Sequence, residues 1–194
     1  MALAEGTQRR VRRNHERVRS LVGLAGMMIH TAGDEEIGQD VLRAATVLLH
    51  ASLDDFLRTV AKENWPRLSR ERLKLVPLPA KRPGEKITFL DLRDLQGRTV
   101  DDLVRESVFA HLDATSFNQK NQVAELLGEL GIPALGAKAN DLKPLMKRRH
   151  HIVHQADKDP DTEGNTELPI VDGDVELWLG AVEYVCNHVI ESLK

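Results

Sequence analysis

Residues 147–157 read KRRHHIVHQAD, a stretch of eleven residues with two arginines, three histidines and an aspartate. The stretch lies in a run whose apolar residues recur at helical spacing, namely Leu142, Leu145, Met146, Ile152, Val153 and Ala156. At about 100° per residue these positions form one stripe along a helix, and Arg149 falls within it. A charged side chain on an apolar face is costly unless it is paired, or faces a cleft or a partner. We therefore expect Arg149 to face one of these.

The flanking sequence predicts further helices. Apolar spacing and stop signals at Gly33, Pro66 and Gly131 place them at 8–31, about 34–64, 99–112, up to Leu130, about 144–157 and from Asp172 or Asp174 to about 193. Thr99 with Asp102, and Ser116 with Gln119, resemble capping boxes. The prolines in 66–98 predict a long loop, with a short helix near 87–90 preferred over a strand. The fold class predicted is an all-α bundle with a proline-containing loop between the second and middle helices.

The length of 194 residues suits one domain. Within it, residues 1–34 predict a basic helix packed on the bundle, and 35–194 the main helical domain. The net charge of −3 excludes a general polycation, although arginines crowd the first helix. They lie mostly off its apolar stripe, which indicates a solvated face or a contact with an RNA backbone. These arginines are Arg9, Arg10, Arg12, Arg13, Arg17 and Arg19.

Cys186 is the single cysteine, so neither an intramolecular disulfide nor a zinc site built on cysteines is expected. This usage is typical of a reducing compartment. No window approaches about 18 apolar residues, and the N-terminal stretch lacks an apolar signal core. We therefore expect a cytoplasmic protein without a membrane contact.

The 147–157 stretch carries the residue types that RNA cleavage without a metal requires. Histidine titrates near neutrality and serves as general acid or base, and arginine matches the geometry of phosphate. Arg149 and His154 are separated by about 140° of rotation on an ideal helix. One helix is therefore a poor complete site, whereas two copies across a two-fold axis would bring two arginines and two histidines into one cleft.

Arg149-x4-His154, with the polar His150 directly after the arginine, resembles the R-x4–6-H motif of HEPN domains. Residues 148–157, 47–57 (VLLHASLDDFL) and Ser116-Phe117-Asn118 together are similar to the RiboL-PSP subgroup of that family. The resemblance runs from about residue 35 to the C-terminus. The bare motif spacing is weak, but three stretches in order are a more specific signal.

The resemblance implies a helical bundle that dimerises and joins the motif residues of both protomers in one metal-independent endoribonuclease site. Arg149 would bind and stabilise the phosphate, His154 would act as general acid and base, and His150 would assist them. Such proteins serve as toxins or antiviral defence effectors, with an antitoxin or another defence-system partner, and need no cofactor. Some carry a tyrosine two residues after the motif histidine, where this chain has Ala156.

Alternatives remain open at these positions. Arg149 and His154 could form a structural polar network, or a non-catalytic HEPN module could bind RNA, a nucleotide or a partner protein. His150, His154 and Asp157 share one predicted flank and could hold a metal ion, although the HExxH signature is absent. For substrate binding we consider two sets: Lys147 and Arg148 as solvated or RNA-backbone contacts, and Ser116 and Asn118 as cap residues or cleft residues.

Overall fold

The computed structural model describes residues 3–74, 76–79, 81, 85–159 and 167–194. These residues form helices joined by turns and loops and contain no β-strand, so the predicted all-α class is confirmed. The α-helices are α1 (Glu5–Met27), α2 (Glu35–Glu63), α3 (Arg70–Lys74), α4 (Phe89–Asp94), α5 (Val100–Ala114), α6 (Lys120–Glu129), α7 (Leu142–Gln155) and α8 (Asp172–Ser192). None of the helices in these ranges is long and apolar enough to cross a membrane.

The central element is α2, which packs on α1, α5, α7 and α8. Asp34 caps its first turn by accepting a hydrogen bond from the Ile37 amide at 3.1 Å. Thr59 receives a hydrogen bond from Arg10 of α1, whereas Arg43 pairs with Asp157 beyond the end of α7. Positions 43 and 59 are sixteen apart and differ by about 160° of rotation. Helices α1 and α7 therefore lie against opposite faces of α2.

The α1–α2 contact depends on a glycine. A Cβ atom at Gly38 would collide with the Ile29 side chain and lie 3.2 Å from the Ala25 carbonyl oxygen. The chain reverses between the two helices through a π-helical turn, Met28–Ala32, and Gly33 at φ 73°. The predicted stop at Gly33 is confirmed, because this left-handed conformation costs little without a Cβ atom.

One predicted short helix is present with later bounds, and one predicted capping box is wrong. The short helix predicted near 87–90 is α4, which begins at Phe89 behind the Thr88–Asp91 capping box. Helix α6 begins at Lys120, and its capping box is formed by Gln119 and Gln122. The predicted box of Ser116 with Gln119 is therefore wrong, because the 116–118 segment is held as a loop by contacts with α2 and does not start a helix.

Candidate functional site

Helix α7 presents its two arginines to different surroundings. Leu142, Leu145 and Met146 bury one face of the helix in the core, and this fixes the rotation of α7. The Arg149 side chain then lies at the edge of the core, half-buried, and lines an open cleft. Its Nε atom is buried, and within the described parts of the chain it has no hydrogen-bond partner. Arg149 is therefore a cation available to a ligand.

The cleft has a volume of about 580 Å³ and lies between the start of α6 and the exposed side of α7. We call it the α6–α7 cleft. Four of its lining residues are cations and three are amides, and no acidic residue of the described chain lines it. The lining comprises Asn118, Gln119, Lys120, Asn121, Lys143, Met146, Lys147, Arg149, His150 and His151.

The positive charge of this cleft is not neutralised inside the protein. No ion pair within the described ranges involves Lys120, Lys143, Lys147 or Arg149. Lys120 donates to the Asn140 side chain at 2.5 Å, which is a neutral partner. A concave surface lined by one sign of charge attracts ligands of the opposite sign, so the cleft suits a polyanion.

A loop before α6 builds the second wall of the cleft, and α2 holds that loop. The Asp54 carboxylate accepts a hydrogen bond from the Phe117 amide at 2.8 Å and pairs with Arg58 at 2.5 Å. Arg58 also donates to the Thr115 carbonyl at 2.9 Å, and the Phe117 ring is fully buried. Asn118, the next residue, is thereby fixed in the lining. Asp54 had no predicted functional role, although it lies in one of the three stretches that carry the HEPN resemblance.

The three histidines of α7 occupy different positions relative to the cleft. His150 is exposed and lines it, and the His154 ring lies beside the His150 ring with centroids 4.8 Å apart. His154 is exposed and is not part of the lining. His151 lines the cleft, and its Nδ1 atom is buried without a partner in the described chain. His151 was not among the predicted site residues, because its position in the sequence does not show that α6 approaches this side of α7.

His50 lies on α2, which packs against α7, and the charge of Arg149 acts on its imidazole. Its side chain is 3% exposed, and its Nε2 atom has no hydrogen-bond partner among the described residues. Burial above all, together with the positive charge of Arg149 and against the opposing charge of Asp54, lowers the pKa of His50 to about 4. His50 is therefore a neutral imidazole at physiological pH, placed against the cation of the cleft.

The structure does not bear out a metal site that includes Asp157. Helix α7 ends at Gln155, and Ala156 and Asp157 adopt left-handed conformations with φ of 49° and 57°. Asp157 is consequently turned into the interior, 1% exposed, and does not share the flank of His150 and His154. No cluster of three histidine, cysteine or acidic residues in the described ranges could hold a metal ion.

Asp157 instead joins two arginines, and we call these residues the Asp157 network. Its Oδ2 atom accepts from Arg43 at 2.9 Å and from Arg148 at 2.7 Å. Arg148 also donates to the carbonyl groups of Leu168 and Pro169 at 2.6 and 3.1 Å. Arg43 reaches Asp40 at 3.0 Å and Glu167 at 2.8 Å. Arg148 is thus engaged inside the protein and does not line the cleft.

The remaining predicted residues also divide into those that line the cleft and those that do not. Lys147 and Asn118 line the α6–α7 cleft, whereas Ser116 lines a different cavity of about 350 Å³ and accepts from the Asn118 side chain at 3.0 Å. Tyr184 accepts from the Gly136 amide at 2.9 Å. Cys186 is buried, and burial raises the pKa of its thiol, so it is no candidate nucleophile.

The site therefore joins an unpaired arginine, lysines and adjacent imidazoles on one open surface. This chemistry fits an anionic ligand and general acid–base catalysis by histidine. Comparison of the chain with family models, with curated proteins and with solved structures gave no match.

Proposed function

We propose that the protein is a metal-independent endoribonuclease of the HEPN type, with an active site shared by two copies of the chain, acting as a defence or toxin effector. One observation carries the proposal: the α6–α7 cleft combines unpaired cations with imidazoles and has no acidic residue in its described lining. Carboxylates would repel the phosphates of RNA, whereas this lining attracts them. The effector role rests on the sequence resemblance.

The chemistry divides among three side chains. Arg149 binds the scissile phosphate and stabilises the charge that develops on it. His154, with His150 beside it, takes the proton from the 2′-hydroxyl, and the 2′-oxygen attacks phosphorus. The bond from phosphorus to the 5′-oxygen breaks, and an imidazolium protonates the leaving oxygen. The products are a 2′,3′-cyclic phosphate and a 5′-hydroxyl.

The outer surface of α7 supports the need for a second copy. Lys143, Lys147, His150 and His154 form one exposed stripe at spacings of four, three and four residues. Arg149 lines the cleft, whereas His154 lies outside its lining. Two α7 helices meeting along this stripe around a two-fold axis would bring the His154 of one copy to the Arg149 of the other.

The test of cleavage is incubation of total RNA with wild-type protein and with His154→Ala, both in EDTA. We expect cleavage by wild type that leaves cyclic-phosphate ends, and a loss of at least about 100-fold in the variant, as for removal of a general base. His30→Ala is the matched control, because His30 is an exposed histidine near the end of α1. Cleavage that persists in His154→Ala would contradict the proposal.

The shared site has its own test. Arg149→Ala and His154→Ala are each expected to be inactive, and a mixture of the two should regain part of the activity if both chains contribute to one site. A mixture no more active than either variant, with dimers present by sedimentation, would place a complete site within each chain.

A second candidate is a non-catalytic module that binds RNA. The observation that favours it is the completeness of the cationic cleft within one chain, without His154. This function predicts equal RNA binding by wild type and His154→Ala and no cleavage by either.

A further inference from the structure

Two buried nitrogen atoms without partners in the described chain lie on helices that pack against each other, one on α2 and one on α7. The Nε2 atom of His50 and the Nε atom of Arg149 are both buried, and neither has a hydrogen-bond partner in the described chain. The charge of Arg149 acts on the His50 imidazole. Buried polar atoms are rarely left unpaired, so this pair calls for an explanation.

The two atoms are chemically complementary. The Nε–H of a guanidinium is always a donor, and a neutral imidazole has one unprotonated nitrogen that accepts. His50 is neutral because its burial and the charge of Arg149 both disfavour protonation. A carboxylate here would neutralise Arg149, and a lysine would repel it, whereas a neutral acceptor orients the guanidinium and leaves its charge available.

The surroundings of His50 connect it to the rest of the cleft. Asp54 lies one helical turn further along α2 and holds the Phe117 amide, and with it the wall that carries Asn118. His50 and Asp54 lie on one face of α2, four residues apart. The stretch 47–57 therefore carries both the carboxylate that holds the loop wall and the imidazole on which the charge of Arg149 acts.

We propose that His50 is a positioning residue for Arg149: when RNA binds, the unprotonated Nε2 of His50 accepts a hydrogen bond from the Arg149 Nε–H, and both terminal nitrogens remain free for a phosphate. The inference rests on the proposed function insofar as the ligand is RNA. His50 touches no substrate and acts only through Arg149.

The direct test is nuclear magnetic resonance of the ¹⁵N-labelled full chain, free and bound to a non-cleavable 2′-O-methyl oligoribonucleotide. We expect a coupling across the hydrogen bond between Arg149 Nε and His50 Nε2 in the complex. The same experiment with inorganic phosphate repeats the test with the anion alone. Absence of the coupling with both probes would overturn the inference.

Variants supply a second, independent measurement of binding to the same oligonucleotide. His50→Gln keeps an acceptor and should bind within about threefold of wild type, whereas His50→Phe fills the space without one and should bind about tenfold more weakly. In the Arg149→Ala background, His50→Phe should change binding by less than about twofold, because the effect passes through Arg149. An equal loss in both backgrounds would mean that the effect of His50 on binding does not pass through Arg149, and would overturn the inference.

These readouts separate the inference from the proposed nuclease. RNA cleavage is not measured, so an intact coupling with no cleavage in the EDTA experiment leaves the inference standing and removes the nuclease. If cleavage depends on His154 but the complex shows no coupling between His50 and Arg149, the proposed role of His50 is removed and the nuclease remains. If His50→Phe does not fold, the coupling in wild type still decides the matter.

Discussion

Arg148 and Arg149 are neighbours on α7, yet their surroundings differ completely. Arg148 is directed into the Asp157 network, where it donates to a carboxylate and to two backbone carbonyl groups. Arg149 lines the α6–α7 cleft, and its buried Nε atom has no hydrogen-bond partner in the described residues. The helical rotation of about 100° between consecutive residues separates the two. One surface of the helix is thereby closed by the protein itself, and the other is left open for a ligand.

The difference shows that two adjacent arginines can contribute separately, one to stability and the other to ligand binding. A buried ion pair contributes little net stability, because desolvation offsets the attraction, but removal of one partner leaves an uncompensated charge. Unpaired cations at an open cleft keep much of their hydration and cost little. We therefore expect the Asp157 network to control stability and the cleft to control binding, and the following predictions test this division.

The largest expected effect is that of Asp157→Asn. Asparagine tolerates the left-handed backbone at this position, so the substitution removes the charge alone. Arg43 and Arg148 would lose their shared buried carboxylate, and the free energy of unfolding should fall by about 3–5 kcal/mol in urea. The control is Asp40→Asn, because Asp40 is exposed and touches the same Arg43. It should change stability by less than about 1 kcal/mol.

The next effect is a pH dependence due to His50. Its pKa of about 4 in the folded protein lies below the ordinary value of 6.5, so the unfolded chain binds a proton first as pH falls. The stability contributed by neutral His50 is present above pH 6.5 and is lost as pH falls toward 4. The loss should reach about 3 kcal/mol.

Urea unfolding of wild type and His50→Gln across this pH range measures that loss. The variant should show a flatter slope, and the remaining slope includes His15, whose pKa burial also lowers. Identical slopes for the two proteins would mean that His50 has the same pKa in the folded and the unfolded chain.

Replacement of each arginine by alanine, in separate variants, compares the two surroundings directly. Arg148→Ala should lower the free energy of unfolding by about 2 kcal/mol and leave RNA binding nearly unchanged. Arg149→Ala should weaken binding of a non-cleavable RNA about tenfold, equal to about 1.4 kcal/mol, with little change in stability. The two variants are matched in chemistry and adjacent in sequence. A similar effect of both on stability would remove the distinction between network and cleft.

The smallest effect concerns the bend that turns Asp157 inward. Ala156 has φ of 49°, a conformation that disfavours alanine and suits glycine. Ala156→Gly should therefore raise the free energy of unfolding by about 0.5–1 kcal/mol. Ala110→Gly, in the middle of α5 and exposed, should lower it by a similar amount. Destabilisation by Ala156→Gly in thermal unfolding would contradict the assigned strain.

The sequence by itself determined the helical class, most helix ends and the exceptional character of residues 147–157. These properties follow from apolar spacing, caps and stop residues, all of which act within a few positions along the chain. The sequence also excluded a disulfide and a zinc site built on cysteines, because the chain has a single cysteine. The helical spacing also placed Arg149 on an apolar face. A charged side chain there requires a cleft or a partner.

The tertiary structure alone decided which polar residues meet. Asp157 pairs with Arg43 from 114 positions away, and Asp54 holds a loop 63 positions later in the chain. The prediction that Asp157 shares the flank of His150 and His154 was wrong, because two residues of left-handed backbone after Gln155 turn the carboxylate inward. The two histidine rings lie side by side, as predicted. His50 and His151 were missed because the sequence does not show which elements pack against their sides of α2 and α7. Periodicity shows which face of a helix is buried, but only the packing of α2, α6 and α7 determines what each face meets.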